Sequence, residues 1–262
     1  MEALESLSII TGFSLSAWHF AVLFVVAIFS GFVDSIAGGG SLITLPALMA
    51  FGIPPHLAIA TNKIQSAFGI FTATAVYFKS RSMKNLAFGV IMMAFGGALG
   101  AFAVLSVSEG YLKIIILFLL VAVFLYMAFK PNFGREKSAP KIKNINIFHI
   151  LVGFSVGFYD GFLGPPAGSF LIFACVALLG YSLREASINT KILNFSSNIV
   201  ALAVFVGFYQ VLWAVGIAMG VGQIIGAFMG SKLVLRTNGH FIKAVFLLVL
   251  GAMICKVAWD YI

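Results

Sequence analysis

The stretch that decides the fold is GFVDSIAGGGSLITLP, residues 31–46. It sits in a long apolar region, yet it holds an acid at Asp34 and three consecutive glycines at Gly38, Gly39 and Gly40. Glycine is a poor helix former, and a carboxylate is costly in hydrocarbon. A continuous lipid-embedded helix has no use for both within two turns, so the backbone is expected to break here.

Composition supplies the setting. The chain has 262 residues, of which 61% are hydrophobic and only 9% charged, with 28 Phe. That is too apolar for an ordinary soluble domain and points to an integral membrane protein. A spanning helix needs about 20 mostly apolar residues. Uncharged or nearly uncharged runs at 6–33, 35–62, 85–108, 161–183 and 192–231 supply them, and strand-type alternation is absent. The expected class is an all-α polytopic membrane protein, not an outer-membrane barrel. Glu2 and Glu5 stand where a signal peptide would carry Lys or Arg, so the first residues are read as mature sequence. The net charge of +8 gathers between apolar runs, where orientation signals belong, and implies no nucleic-acid partner.

Helical segments are expected at 15–37, 41–51, 55–78, 85–107 and 111–129, then at 147–163, 169–180, 185–208, 211–234 and 242–260. Between the two sets lies KPNFGREKSAPKIKN, 130–144, whose Pro, Gly and charge read as a solvated loop. The sets repeat one another. GFVDSIAGGGSLI at 31–43 aligns with GFYDGFLGPPAGSFLI at 157–172, placing Asp34 against Asp160. Lys63-Ile64 then falls against Lys191-Ile192, and Gly100-Ala101-Phe102 against Gly226-Ala227-Phe228. The expected organisation is a first membrane repeat at 1–129, a cytoplasmic linker at 130–146 and a second repeat at 147–262.

Charge placement orients the repeats. In the first, the loop after segment three carries Lys79, Arg81 and Lys84, and the loop after segment four only Glu109. In the second, 207–211 is uncharged and the next loop carries Lys232, Arg236 and Lys243. The positive-inside rule puts equivalent loops on opposite faces, which predicts inverted-topology repeats with both termini outside. For that parity, segments one and two of each repeat must together make no net crossing, as a hairpin or re-entrant pair.

Segment 41–51 would rise about 16 Å, half of a hydrocarbon core of roughly 30 Å. Gly38, Gly39 and Gly40 then form an unwound turn, with Ser41 as cap of a half-helix; Gly164 to Gly168 repeat the turn, with Ser169 as cap. Broken backbone at this depth survives only inside protein or beside a wet cavity. Two half-helix N-termini meeting from opposite sides offer amide donors and positive dipole ends, a site for an anion. Lys63 and Lys191 are its candidate walls, with Asn62, Asn189 and Asn194 as polar neighbours, and Gln65 and Asn198 close by.

A plainer reading stands beside this one. Four buried charges left alone would cost about 3 kcal/mol each, on the order of 12 kcal/mol together. Structural ion pairs of Asp34 with Lys63 and of Asp160 with Lys191 would remove that cost without any function; proton coupling by the aspartates is the alternative. Gly96, Gly97 and Gly100, with Gly222, Gly226 and Gly230, read as close helix crossings. Trp18, Trp213, Trp259 and Tyr261 read as interface anchors, and Cys175 and Cys255 as small buried hydrophobes. His19, His56, His149 and His240 lack metal-ligand spacing, so neither metal nor cofactor is expected.

In both halves the residues resemble the TauE/SafE family, the sulfite-exporter-like transporters, over about 18–260. Gly31 to Gly40 with Pro46, then Ala60-Thr61-Asn62-Lys63, resemble its first signature; Gly157-Phe158-Tyr159-Asp160-Gly161 with Gly164-Pro165, Gly168-Ser169-Phe170 and Asn189-Thr190-Lys191 resemble its second. Ser41 and Pro166 depart from that pattern, each standing where Gly is expected. The resemblance implies a permease of the bacterial inner membrane, not an enzyme, that exports small sulfur-containing anions such as sulfite or organosulfonates. Membrane lipid is the other expected partner. Exit of an anion from a negative interior gains about 2.3 kcal/mol per charge per 100 mV, so export needs no coupling ion. Another small organic anion is the alternative substrate. An intramembrane aspartyl protease would use two membrane aspartates, but GFVD lacks the Gly-x-Gly-Asp it requires.

Overall fold

The computed structural model describes residues 16–80, 82–104, 121, 125, 129, 134, 136–162, 164–208, 211–237 and 239–259. Among them the long elements are all helices: α1 (Ala17–Ala37), α2 (Ser41–Ala50), α3 (Pro55–Tyr77), α4 (Leu86–Ala103), α5 (Ile145–Phe162), α6 (Ala167–Leu179), α7 (Leu183–Phe208), α8 (Trp213–Arg236) and α9 (Gly239–Trp259). The segment expected at 111–129 falls almost wholly outside the described residues, as does Arg81. Helices α1, α4, α5, α7 and α8 are long and apolar enough to cross a membrane. Burial runs opposite to that of a soluble protein: Phe29, Phe71 and Phe95 are exposed, while Asn62, Lys63, Gln65, Lys191 and Asn198 are buried. Such a surface is solvated by lipid, and the chain is an all-α polytopic membrane protein.

Most helix limits follow local chemistry. The carboxamide of Asn144 accepts the Asn146 N–H at 3.0 Å and starts α5, two residues before the expected 147. A wide π turn at His149–Gly153 follows, and it buries the His149 ring. Helix α6 begins at Ala167, because Pro166 in the N-cap position needs no amide partner. Two readings change. The linker is exposed at 136–140 but is bonded to the protein: Ser138 N–H donates to the Gly180 carbonyl at 2.8 Å, and Lys141 and Ile142 N–H to that of Leu178. Cys175 is buried as expected, but Cys255 faces outward.

The helices exchange partners between the halves. Helix α1 packs along α8, and its sequence counterpart α5 packs along α4; α3 lies on α8, and its counterpart α7 on α4. Elements matched by the sequence alignment therefore make matched contacts.

Glycines let these pairs approach to backbone contact. A Cβ on Gly226 would strike the Ile28 carbonyl, and one on Gly222 would come within 2.6 Å of that of Phe24. Across the other pair, a Cβ on Gly100 would strike the Phe158 carbonyl and one on Gly161 that of Gly97. In lipid no hydrophobic force drives helices together, so van der Waals contact at this range supplies the association.

Gly100→Val and Gly226→Val should each destabilise the protein by about 2–3 kcal/mol, since a rigid backbone cannot yield to the added carbons. Gly207→Ala, where a Cβ meets nothing within 4 Å, is the control. Thermal unfolding in detergent checks this; equal midpoints for all three would contradict it.

Candidate functional site

The site begins where α1 stops. Its last turn is followed by Gly38 and Gly39, with φ of 76° and 83°, and then α2 starts from Gly40 as N-cap. Glycine adopts these left-handed angles freely, and other residues rarely do. In the second half the break passes through Gly164, φ 89°, before α6. The two breaks touch: a Cβ on Gly38 would come within 2.5 Å of the Ser169 amide nitrogen. The N-terminal end of α6 thus lies against the break that follows α1.

Breaking α1 and α5 leaves carbonyls of their final turns without helical partners, a cost that water cannot relieve in the hydrocarbon. Side chains from three other helices satisfy those of α1. Tyr77 hydroxyl donates to the Ser35 carbonyl at 2.9 Å, Ser187 to Ile36 at 2.8 Å and Ser169 to Ala37 at 2.9 Å. For α5, the Lys63 ammonium donates to the Asp160 carbonyl at 2.6 Å.

The ion pairs cross between the halves. Lys63 on α3 meets Asp160 at 3.3 Å, and Lys191 on α7 meets Asp34 at 2.7 Å. The pairing of Asp34 with Lys63 and of Asp160 with Lys191 is therefore corrected. It fails because α3 and α7 each face the helix break of the opposite half. Both lysine side chains are at most 2% exposed. The pairs also place cations at the C-terminal, negative ends of α1 and α5.

The polar neighbours divide. Asn62 donates to Ser41 at 3.0 Å and accepts from Thr44 and Gln65, each at 2.5 Å, forming a buried cluster beside α2. Asn194 lies by Gly168, its Nδ2 3.2 Å from where a Cβ there would be. Asn189 is not brought to the break: it accepts the Ser82 and Met83 N–H groups at 2.9 Å and fastens the loop before α4. Neither serine is an N-cap. Ser41 is the first helical residue of α2, Ser169 lies inside α6, and the Asp34 carboxylate takes the capping role by accepting the Gly40 N–H at 3.1 Å.

A family model described as Sulfite exporter TauE/SafE matches residues 23–257. The chain belongs to this family. Curated relatives align with the chain over nearly its full length. The chain is 40% identical to "Probable membrane transporter protein YfcA" of Escherichia coli K12 over 263 residues, which cover 99% of the chain and 95% of the relative. It is 37% identical to a "Probable membrane transporter protein" of Haemophilus influenzae over 242 residues, 92% and 94% of the two chains. Membership and these names make the protein a multi-pass membrane transporter.

Within this TauE/SafE site, Ser30, Tyr77, Ser187, Ser197 and Gln223 escaped the motif reading. Gln223 donates to Ser30 at 3.0 Å, and Ser30 to the Gly40 carbonyl at 2.9 Å, anchoring the first break to α8. Their only sequence signal is a polar side chain in an apolar helix.

Removing one partner of a buried pair costs about 3–5 kcal/mol, because the other charge is stranded. Lys63→Met and Asp160→Asn should each lower the unfolding midpoint, and the double variant should recover most of the loss. Lys63→Met with Asp34→Asn should give additive losses. Recovery in the second combination instead would contradict the crossed pairing.

Proposed function

We propose that the protein is a permease of the bacterial inner membrane that exports small sulfur-containing anions, such as sulfite or organosulfonates, by alternating access. The touching breaks of the two halves, flanked by the crossed ion pairs, carry this reading. Backbone amides of the touching breaks lie beside the crossed pairs, with the Gly40 N–H on Asp34 and Gly164 next to Lys63, and a compact oxyanion matches such a donor set better than a bulky apolar solute does. Membership of a family described by a sulfite exporter supports the substrate class. The crossed pairs disfavour the protease reading, since each aspartate is paired with a lysine and neither with the other aspartate as in a catalytic dyad.

Alternating access calls for two equivalent units of opposite orientation, 1–129 and 147–262, with the loops at 79–84, 130–144 and 232–243 on the cytoplasmic face and both termini outside. Rocking one unit against the other exposes the central site to each side in turn. The matched helix contacts between the halves are consistent with such a pair.

Reconstituted protein should carry sulfite or a short alkanesulfonate, and Gly39→Val should abolish the flux by filling the unwound turn. Flux confined to cations or neutral solutes would overturn the reading. Cysteines introduced at positions 84, 141 and 232 should react with an impermeant reagent only after the inner membrane is opened. Labelling of any of them in intact spheroplasts would refute the topology.

A further inference from the structure

We infer that Asp34 is a built-in stand-in for the transported anion, and that it must take up a proton before the substrate reaches Lys191. The inference rests on the anion-transport reading and adds the coupling ion and the residue that carries it. The Asp34 carboxylate already holds the donors an oxyanion would use. Its Oδ2 accepts from Lys191 Nζ at 2.7 Å, and its Oδ1 from the Gly40 N–H at the N-terminus of α2 at 3.1 Å. An ammonium and a half-helix amide can serve either the ionised side chain or the substrate. The two compete.

Asp160 is held differently. One carboxylate oxygen accepts from Ser197 at 2.6 Å and the other from Lys63 at 3.3 Å, while Lys63 is also bound to the Asp160 carbonyl. Its side chain is 6% exposed, against 18% for Asp34. The first carboxylate is the less enclosed of the two, and losing Lys63 from the second would also strand a carbonyl of α5. The pair of Asp160 and Lys63 therefore acts as the fixed tie, and that of Asp34 and Lys191 as the one that opens.

A second feature at this junction points to a ligand. Asn194 is buried with its Oδ1 unpartnered among the described residues, and its amide lies against Gly168, which abuts Gly38. A buried carbonyl oxygen without a donor costs about 1–3 kcal/mol, and a bound solute or its water would satisfy it.

The groups around Asp34 fix what replaces its partner. Lys191 on α7 and the Tyr77 phenol on α3 face it; α2, α6 and α8 bring the neutral Gly40, Ser169 and Gln223 to its helix. Helix α9 brings the apolar Leu248, Val249 and Ala252 up to Gly39. Among the described residues, Lys191 is the one cation within 4 Å of the carboxylate. An unpaired carboxylate at membrane depth is neutralised by protonation. The proton comes from water and adds to a carboxylate oxygen, no bond to the substrate forms, and the Lys191 ammonium stays charged and pairs with the anion. The cluster's charge is unchanged, so one proton travels with each monoanion in the same direction, and the potential that would favour exit of a lone anion drops out of the drive.

Full-length protein in liposomes, with an entrapped pH indicator, tests this using methanesulfonate, which stays ionised across the working range. Wild-type flux should move protons with the anion, rise as pH falls and ignore a potassium diffusion potential. Asp34→Asn should carry the anion without protons, independently of pH and with a response to potential. Asp34→Glu should keep the proton movement. Wild-type anion flux without proton movement would overturn the inference and leave the proposed function standing, as would Asp34→Asn that still co-transports protons. Absence of any anion flux would remove both.

Discussion

Two lysine ammoniums at most 2% exposed, each bound to an aspartate on the opposite half of the chain, are the interaction on which the structure depends. Lipid makes this so. In water either charge could be solvated separately, and the broken helices could bond to solvent; at membrane depth neither relief exists, so charge and backbone must find partners inside the protein. The crossed pairs meet both demands, because the lysine of one half answers the acid, and in one case the carbonyl, of the other half's break. Each half supplies part of what its own break needs, and the charge that neutralises the break's aspartate comes from the other half.

The same constraint accounts for the packing. Carbonyls of α1 and α5 approach α8 and α4 so closely that glycine is required at the crossing points. Close crossing brings α3 and α7 over the breaks, where their polar residues become useful. Serine and tyrosine hydroxyls serve the carbonyls at the end of α1, the Lys63 ammonium serves both the carbonyl and the carboxylate of Asp160, and the Lys191 ammonium serves the Asp34 carboxylate. Phenylalanines on the outer faces face lipid, and some of them, such as Phe71 with Phe195 and Phe95 with Phe154, also touch rings of neighbouring helices.

The two halves are alike in plan and unlike in detail. The first break is supported by a neutral cluster of Thr44, Asn62, Gln65, Ser30 and Gln223, whereas the second is supported by Ser197 and the Lys63 ammonium. One aspartate caps a half-helix; its counterpart is bound by a serine. A duplicated sequence thus gives two breaks with separate loads. That inequality is what a transporter with one opening pair and one permanent tie requires.

Much of this was legible in the sequence. Apolar length gave the spans, the triple glycine and the Gly-Pro-Pro run gave the breaks, and the spacing of Gly96, Gly100, Gly222, Gly226 and Gly230 gave the crossings, because each follows from the backbone's own needs in lipid. The alignment of Asp34 with Asp160 and of Lys63 with Lys191 marked the right four charges. It could not say which acid met which lysine, since proximity along the chain favoured pairs within a half. Asn189 likewise stood five residues before Asn194 on the same helix, and only folding assigned one to a loop and the other to the break. Sequence determines which groups must be satisfied, because burial in lipid forbids leaving any of them alone. Tertiary structure decides by whom, because the partners are set by which helix the glycines allow to come closest.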